Sequence, residues 1–359
     1  MGIAYQTTLA DSYTALSRVY SAARQAPQAK EASERALAIV KKLADVYPKV
    51  PDYQGNLARG YYHLGNAYRA SNHGDKAEEA YQKALGLQEQ LAHDLPGSPQ
   101  FQADLGQTWN NLGLLRRDRK QREGAAAAFH KAAAAWEELL RAHRGEAGFV
   151  LGLATSQQNL GNLDRENGED ARAFDAYTRA LLALEGLAPQ EQRSAPARQA
   201  LCNALWRRAE TLTQMRRSAE AVRDWERALG FAADANRSWF RLQHALALAQ
   251  AGEHAAATAT AEQLAKLGAV SGDWLYSLAC VEARAVTAAA ADAKLVPEEQ
   301  RLLAEGYAAR GIEFLEKARL AGYFRAPANR AKLKTDRDLA PLRSHPDFEK
   351  LLGNETGPR

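Results

Sequence analysis

The stretch Leu57 to Leu85, LARGYYHLGNAYRASNHGDKAEEAYQKAL, decides the fold. Leu57, Tyr61, Leu64, Gly65 and Tyr68 fall at i, i+4, i+7, i+8 and i+11, one stripe of an α-helix. Ala77, Ala80, Tyr81, Ala84 and Leu85 make the stripe of a second helix. Between them Ser71, Asn72, His73 and Gly74 supply turn chemistry. Small side chains let the two backbones approach, and the aromatic fills the space beside them. The segment therefore predicts a helical hairpin.

The hairpin recurs at a step of 48 residues. Leu64-Gly65 returns as Leu112-Gly113 and Leu160-Gly161, with Leu16-Ser17 before them and Arg208-Ala209 as a degraded copy after. Leu9, Leu57, Leu105, Leu153 and Leu201 align, as do Ala29, Ala77, Ala125, Ala173 and Ala221. A second alanine column is Ala36, Ala84, Ala132, Ala180 and Ala228, and a leucine column is Leu43, Leu91, Leu139 and Leu187. Tyr81, Phe129, Tyr177 and Trp225 form an aromatic column that begins with Ser33. A fixed period of this size marks a stacked-repeat architecture.

These residues resemble the tetratricopeptide repeat (TPR), whose pattern is W-x2-L-G-x2-Y, then A-x3-F, then a late Pro. Tyr61, Leu64, Gly65, Tyr68, Ala77, Tyr81 and Ala84 occupy its positions, and Trp109, Leu112, Gly113, Ala125, Phe129 and Ala132 do so in the next copy. The standard unit has about 34 residues, so each unit here carries roughly 14 more, as in long repeats of the kinesin light chain type. The resemblance implies an all-α, right-handed superhelical solenoid of antiparallel helix pairs.

The expected organisation has three parts. Residues 1–230 hold five long repeats, 231–268 one standard-length repeat, and 269–359 an atypical helix pair and a C-terminal cap. The step shortens because Leu205 plus 34 is Trp239, which opens a stripe continued by Leu242, Ala245 and Leu246. The first repeat begins in a helix with no polar cap, which points to Met1 not being the natural beginning. LLRRDRKQREG, from Leu114 to Gly124, is the most basic patch and reads as a solvated turn. Leu339, Leu342, Phe348 and Leu351 in the tail are expected to pack back onto the last helices.

YSLACVEA, a long helix ending in AGYF, and DRDLAPLRSHPDFEKLL resemble the TPR tails of multidomain bacterial Ser/Thr protein kinases of planctomycete type. That resemblance implies a detached regulatory or substrate-recruiting arm as the alternative function. The chain itself has no Gly-rich loop, H-R-D-L-x-x-x-N loop or D-F-G motif.

Composition narrows the function classes. With 359 residues, the chain is long for one compact core and natural for an array that grows by adding units. Net charge is +4 with acids and bases interleaved, which argues against nucleic acid as a partner. Cys202 and Cys280 fall on helix stripes and read as small buried thiols. No apolar run approaches the ~18 residues of a membrane span, and no secretory segment opens the chain, so the expected location is the cytoplasm. Position 6 is Gln6, which excludes N-myristoylation. The sequons at Asn236 and Asn354 have meaning only in a secreted chain. Phosphate loops, H-E-x-x-H, G-x-S-x-G and metal-ligand spacings are absent, so neither enzyme activity nor a cofactor or metal is expected.

A partner is expected on the face opposite the apolar stripe, where first helices of successive repeats line a concave groove. It carries Arg59, Tyr62, Asn66 and Arg69 in repeat two, and Gln107, Asn110 and Arg117 in repeat three. Gln158, Asn162 and Arg165 follow in repeat four, and Trp206 in repeat five. Asn offers a donor and an acceptor to a peptide main chain, and Arg offers a forked donor to carboxylate or phosphate. The pattern fits an acidic or phosphorylated peptide; the alternative is a solvated face in which Arg69, Arg117 and Arg165 pair with acids such as Asp118 and Glu166.

Overall fold

The structure, a computed structural model, describes residues 2–267 and 271–353. Met1, the expected boundary at 268/269 and the sequon at Asn354 lie outside them. Among the described residues every regular element is helical. In chain order they are α1 (Ile3–Ala22), α2 (Ala26–Val46), α3 (Pro51–Ala70), α4 (Gly74–Asp94), α5 (Pro99–Asp118) and α6 (Arg122–Ala142). There follow α7 (Ala147–Glu166), α8 (Asp170–Glu185), the single turn α9 (Pro189–Gln192), α10 (Ala195–Gln214), α11 (Ser218–Phe231) and α12 (Asp234–Gln250). The chain continues with α13 (His254–Ala265), α14 (Gly272–Ala290), α15 (Pro297–Leu320), α16 (Pro327–Thr335) and α17 (Phe348–Gly353). It divides into two compact units, residues 1–200 and 201–359.

In the first unit α1 packs on α2, α3 on α4, α5 on α6 and α7 on α8. The hairpins stack in turn through α2 on α3, α4 on α5 and α6 on α7. Proline opens α3 and α5, where its missing N–H costs no helical hydrogen bond. The turn inside each hairpin is reversed by one residue in the left-handed region. That residue is Arg24, Asn72, Lys120 and Gly168, and Arg216 holds the same place between α10 and α11. Only at Gly168 is this conformation free of steric cost.

The repeating columns are the core. Every member of both alanine columns and of the leucine column at Leu43 is buried, and so are Tyr81, Phe129, Tyr177 and Trp225. Glycine sits where an aromatic needs the room. A Cβ on Gly65 would lie 2.6 Å from the Tyr81 ring, on Gly113 2.5 Å from Phe129, and on Gly161 2.7 Å from Tyr177. The first hairpin solves the same contact with Ser17 and Ser33, whose hydroxyls share a hydrogen bond at 2.6 Å.

The aromatic also selects its neighbour. The Tyr81 hydroxyl donates to Asn66 Oδ1 at 2.7 Å, and Tyr177 to Asn162 at 2.8 Å. Phe129 has no hydroxyl, and the residue aligned with Asn66 is Leu114. A buried hydroxyl needs a partner and a buried phenyl does not.

The basic segment from Leu114 to Gly124 meets its expected reading in part. Only Arg119 to Gln121 lie outside helices. Arg116 donates to Glu78 at 2.8 and 3.0 Å, Arg119 reaches Asp75 at 2.6 Å and Glu78 at 3.2 Å, and Arg122 pairs with Glu169. The patch ties the turns of successive hairpins together while residues 118–123 remain exposed.

In the second unit α12, α13, α14 and α15 pack around one core. Leu339, Leu342, Phe348 and Leu351 are all buried against it. The last long helix stops at Leu320, earlier than the sequence predicts, because Gly322 takes φ 81° and reverses the chain. Tyr276 donates to Asp336 at 2.5 Å and Arg284 to Asp338 at 2.8 Å, which fastens the tail. Cys202 and Cys280 are free and buried, and burial raises the Cys280 thiol. Glu282 on α14 is buried with both carboxylate oxygens lacking a hydrogen bond. The Arg310 guanidinium stands 3.2 Å from one of them, out of hydrogen-bonding orientation. Burial outweighs that charge and pushes Glu282 up to about 7. Among the described residues no helix is long and apolar enough to cross a membrane, and no group of His, Cys, Asp and Glu could hold a metal ion.

Candidate functional site

Two cavities on the first unit adjoin one another. One, of about 420 Å³, is lined by Arg18, Arg59, Tyr62, His63, Asn66, Gln88, Asp104 and Gln107. The other, of about 890 Å³, shares Arg59 and His63 with it and adds Asp11, Asp52, Tyr53 and Val40 among others. Most of these side chains come from α1, α3 and α5.

The cavities exist because of what one core column holds. In repeat three that column is Trp136, a wedge needing Gly106 and Gly152; a Cβ on these would lie 2.8 and 2.4 Å from the indole. In repeats one and two the aligned residues are the smaller Val40 and Gln88. Where Trp136 meets Gly106 and Gly152, Gln88 has Ala58 and Asp104, and the space stays open.

Four sequence-predicted residues, Arg59, Tyr62, Asn66 and Gln107, come together around the smaller cavity. Its chemistry is set by burial. The Tyr62 phenol is raised by desolvation, against hydrogen bonds to Asn66 and Asn111. His63 is lowered to about 4, first by burial and then by the positive fields of Arg18 and Arg59. Asp104 is raised by burial, with Arg59 and the Gln100 amide opposing. Near neutral pH His63 is therefore uncharged.

The remaining predicted residues have other surroundings. Arg69 donates twice to Asp118, at 2.9 and 3.0 Å, and Arg117 lies 3.5 Å from the same carboxylate. Arg69, Arg117 and Arg165 stand in the last turns of α3, α5 and α7, where a cation offsets the helix dipole. The asparagines serve contacts within and between hairpins: Asn66 and Asn162 accept from Tyr81 and Tyr177 of their own hairpins, and across repeats Asn66 accepts from Asn111 at 2.9 Å and Asn110 from Asn159 at 2.8 Å. Gln158 donates to the Ala200 carbonyl at 3.2 Å. Trp206 belongs to the second unit, edge-on to Trp239 at 5.0 Å and with Arg207 4.2 Å above its ring. Sequence reasoning missed Arg18, His63, Gln88 and Asp104. The signal was available in Gln88, a polar residue in a column otherwise occupied by Val40, Trp136 and Leu184.

Residues 58–91, which span α3 and α4, match the tetratricopeptide repeat family. This stretch is a tetratricopeptide repeat. A search of curated proteins finds no match. Among solved structures, the chain is similar to BtubC (BKLC) from P. vanneervenii, at 20% identity and TM-score 0.47, over 66% of this chain and 88% of that one. It is similar to pilF of Pseudomonas aeruginosa at 16% identity and TM-score 0.47, over 73% and 93% of the two chains. The Rap conjugation gene regulator of plasmid pLS20, solved with the Phr* peptide, gives 13% identity and TM-score 0.44 over 85% and 73%.

Proposed function

We propose that this TPR-bearing chain is a non-catalytic, cytoplasmic protein–protein interaction scaffold. Its partner is an extended peptide or protein segment, acidic or phosphorylated, held along the face formed by α1, α3, α5 and α7. The observation that carries this reading is the pair of adjoining cavities on that face, which share Arg59 and His63 and are lined by side chains from several repeats. Stacked repeats offer such extended surfaces to partners as a matter of geometry. The repeat at residues 58–91 supplies α3, which lines both cavities, and Gln88 of α4, which lines the smaller one.

The test is a peptide array probed with the whole chain at two salt concentrations. Acidic peptides should be retained at low salt and weakened at high salt, since exposed charge pairs are screened. Arg59, Arg117 and Arg165 all changed to Glu should lose that preference. Retention of no peptide class at either salt overturns the reading. The kinase-arm alternative rests on the resemblance of the tail alone; an in-frame kinase sequence upstream of Met1 would favour it.

A further inference from the structure

Repeat two leaves its interior chemically incomplete at Gln88. The residue is 1% exposed, its amide lines the 420 Å³ cavity, and its Oε1 has no hydrogen-bond partner. The aligned Val40, Trp136 and Leu184 are buried and apolar. An unsatisfied buried acceptor destabilises a fold, and leucine at this place would not. Gln88 Oε1 is the buried end of the amide, and a half-turn brings this acceptor to the cavity side while the amide N–H groups take the inner place.

The groups around it define the complement. The lining sets two guanidinium side chains, Arg18 and Arg59, against one carboxyl side chain, Asp104, so basic groups outnumber acidic ones. One further carboxylate evens that count, whereas a doubly charged phosphate would exceed it beside Asp104. The shared Arg59 and His63 let a bound chain run on into the 890 Å³ cavity, which suits an internal segment over a chain end.

We propose that the Gln88 cavity takes an extended peptide segment, with Gln88 Oε1 accepting a main-chain N–H and Arg18 and Arg59 holding an acidic side chain. This rests on the scaffold reading and narrows it from acidic or phosphorylated partners to carboxylates at one pocket.

The experiment is fluorescence anisotropy of the whole chain with acetylated, amidated hexapeptide pools centred on glutamate, phosphoserine or glutamine. The glutamate pool should bind about tenfold tighter than either other pool, and a matched pool with a free C-terminal carboxylate should bind no better. Gln88→Leu should weaken binding by about tenfold while raising the urea midpoint. Gln88→Met, nearly isosteric, guards against a packing defect and should weaken binding equally. Arg59→Gln should abolish the preference for glutamate. If both Gln88 variants bind like the unchanged chain, or phosphoserine or a free C-terminus dominates, this inference fails and the scaffold reading stands. If no pool binds, the inference fails, and the array alone decides the scaffold reading.

Discussion

Asn66 and Tyr81 show how one atom decides a neighbour. The Tyr81 hydroxyl is buried and spends its proton on Asn66 Oδ1, while repeat three carries Phe129 with Leu114. Asn66→Leu should strand the hydroxyl and cost about 1–3 kcal/mol, and Tyr81→Phe alone about 1 kcal/mol. The double change reproduces repeat three and should cost less than the sum, giving a coupling of at least about 0.5 kcal/mol in a urea-denaturation cycle. Strict additivity would refute the pairing. Glu282 offers a second test at this scale. Its folded pKa is raised to about 7, so its contribution is present while the carboxyl is protonated in both states. That contribution declines above the unfolded value of about 4.3 and is gone once pH passes 7. The melting temperature of the unit containing it should fall between about pH 4.3 and 7, and Glu282→Gln should flatten that fall. An unchanged slope in the variant would assign the dependence elsewhere, with Glu262 the next acid in its field.

A hairpin is set by where its two helices touch. Gly113 lies under Phe129 with no room for a Cβ, so Gly113→Leu should overpack the contact by about 1–3 kcal/mol, read as a drop in the urea midpoint. An unchanged midpoint would mean that the register of α5 on α6 is wrong. This element was legible in the sequence because glycine, alanine and aromatic columns keep residue type from copy to copy. The turn was less so: Arg24, Asn72, Lys120 and Gly168 share a left-handed backbone but no side-chain type. The site was legible only in part. Arg59, Tyr62, Asn66 and Gln107 follow from the face they share, but the cavity between them depends on the volume missing at Gln88, across a helix-to-helix contact that spacing along one helix does not record. The Arg69–Asp118 pair, which the sequence offered as the alternative to a binding ladder, is present. It crosses from one repeat to the next.

Across the first unit the same column changes environment with its place in the stack. Leu64, Leu112 and Leu160 are buried, whereas Leu16 is 39% exposed; Ala67, Leu115 and Leu163 are buried, whereas Val19 is 62% exposed. Among the described residues no helix covers that side of α1. Since local opening follows buried contact, amide hydrogen exchange should be fastest in α1 and slower in α3 and α5. Equal protection throughout would show that the end of the stack is covered in solution. The matched tyrosine–asparagine and phenylalanine–leucine pairs carry a lesson about inheritance. Each pair joins the two helices of one hairpin, so a genetic exchange that moves a whole 48-residue cassette keeps donor with acceptor and phenyl with aliphatic. A crossover inside the cassette would marry a hydroxyl to a methyl group. Duplication by complete units is thus the route along which such a chain can lengthen without breaking its own chemistry.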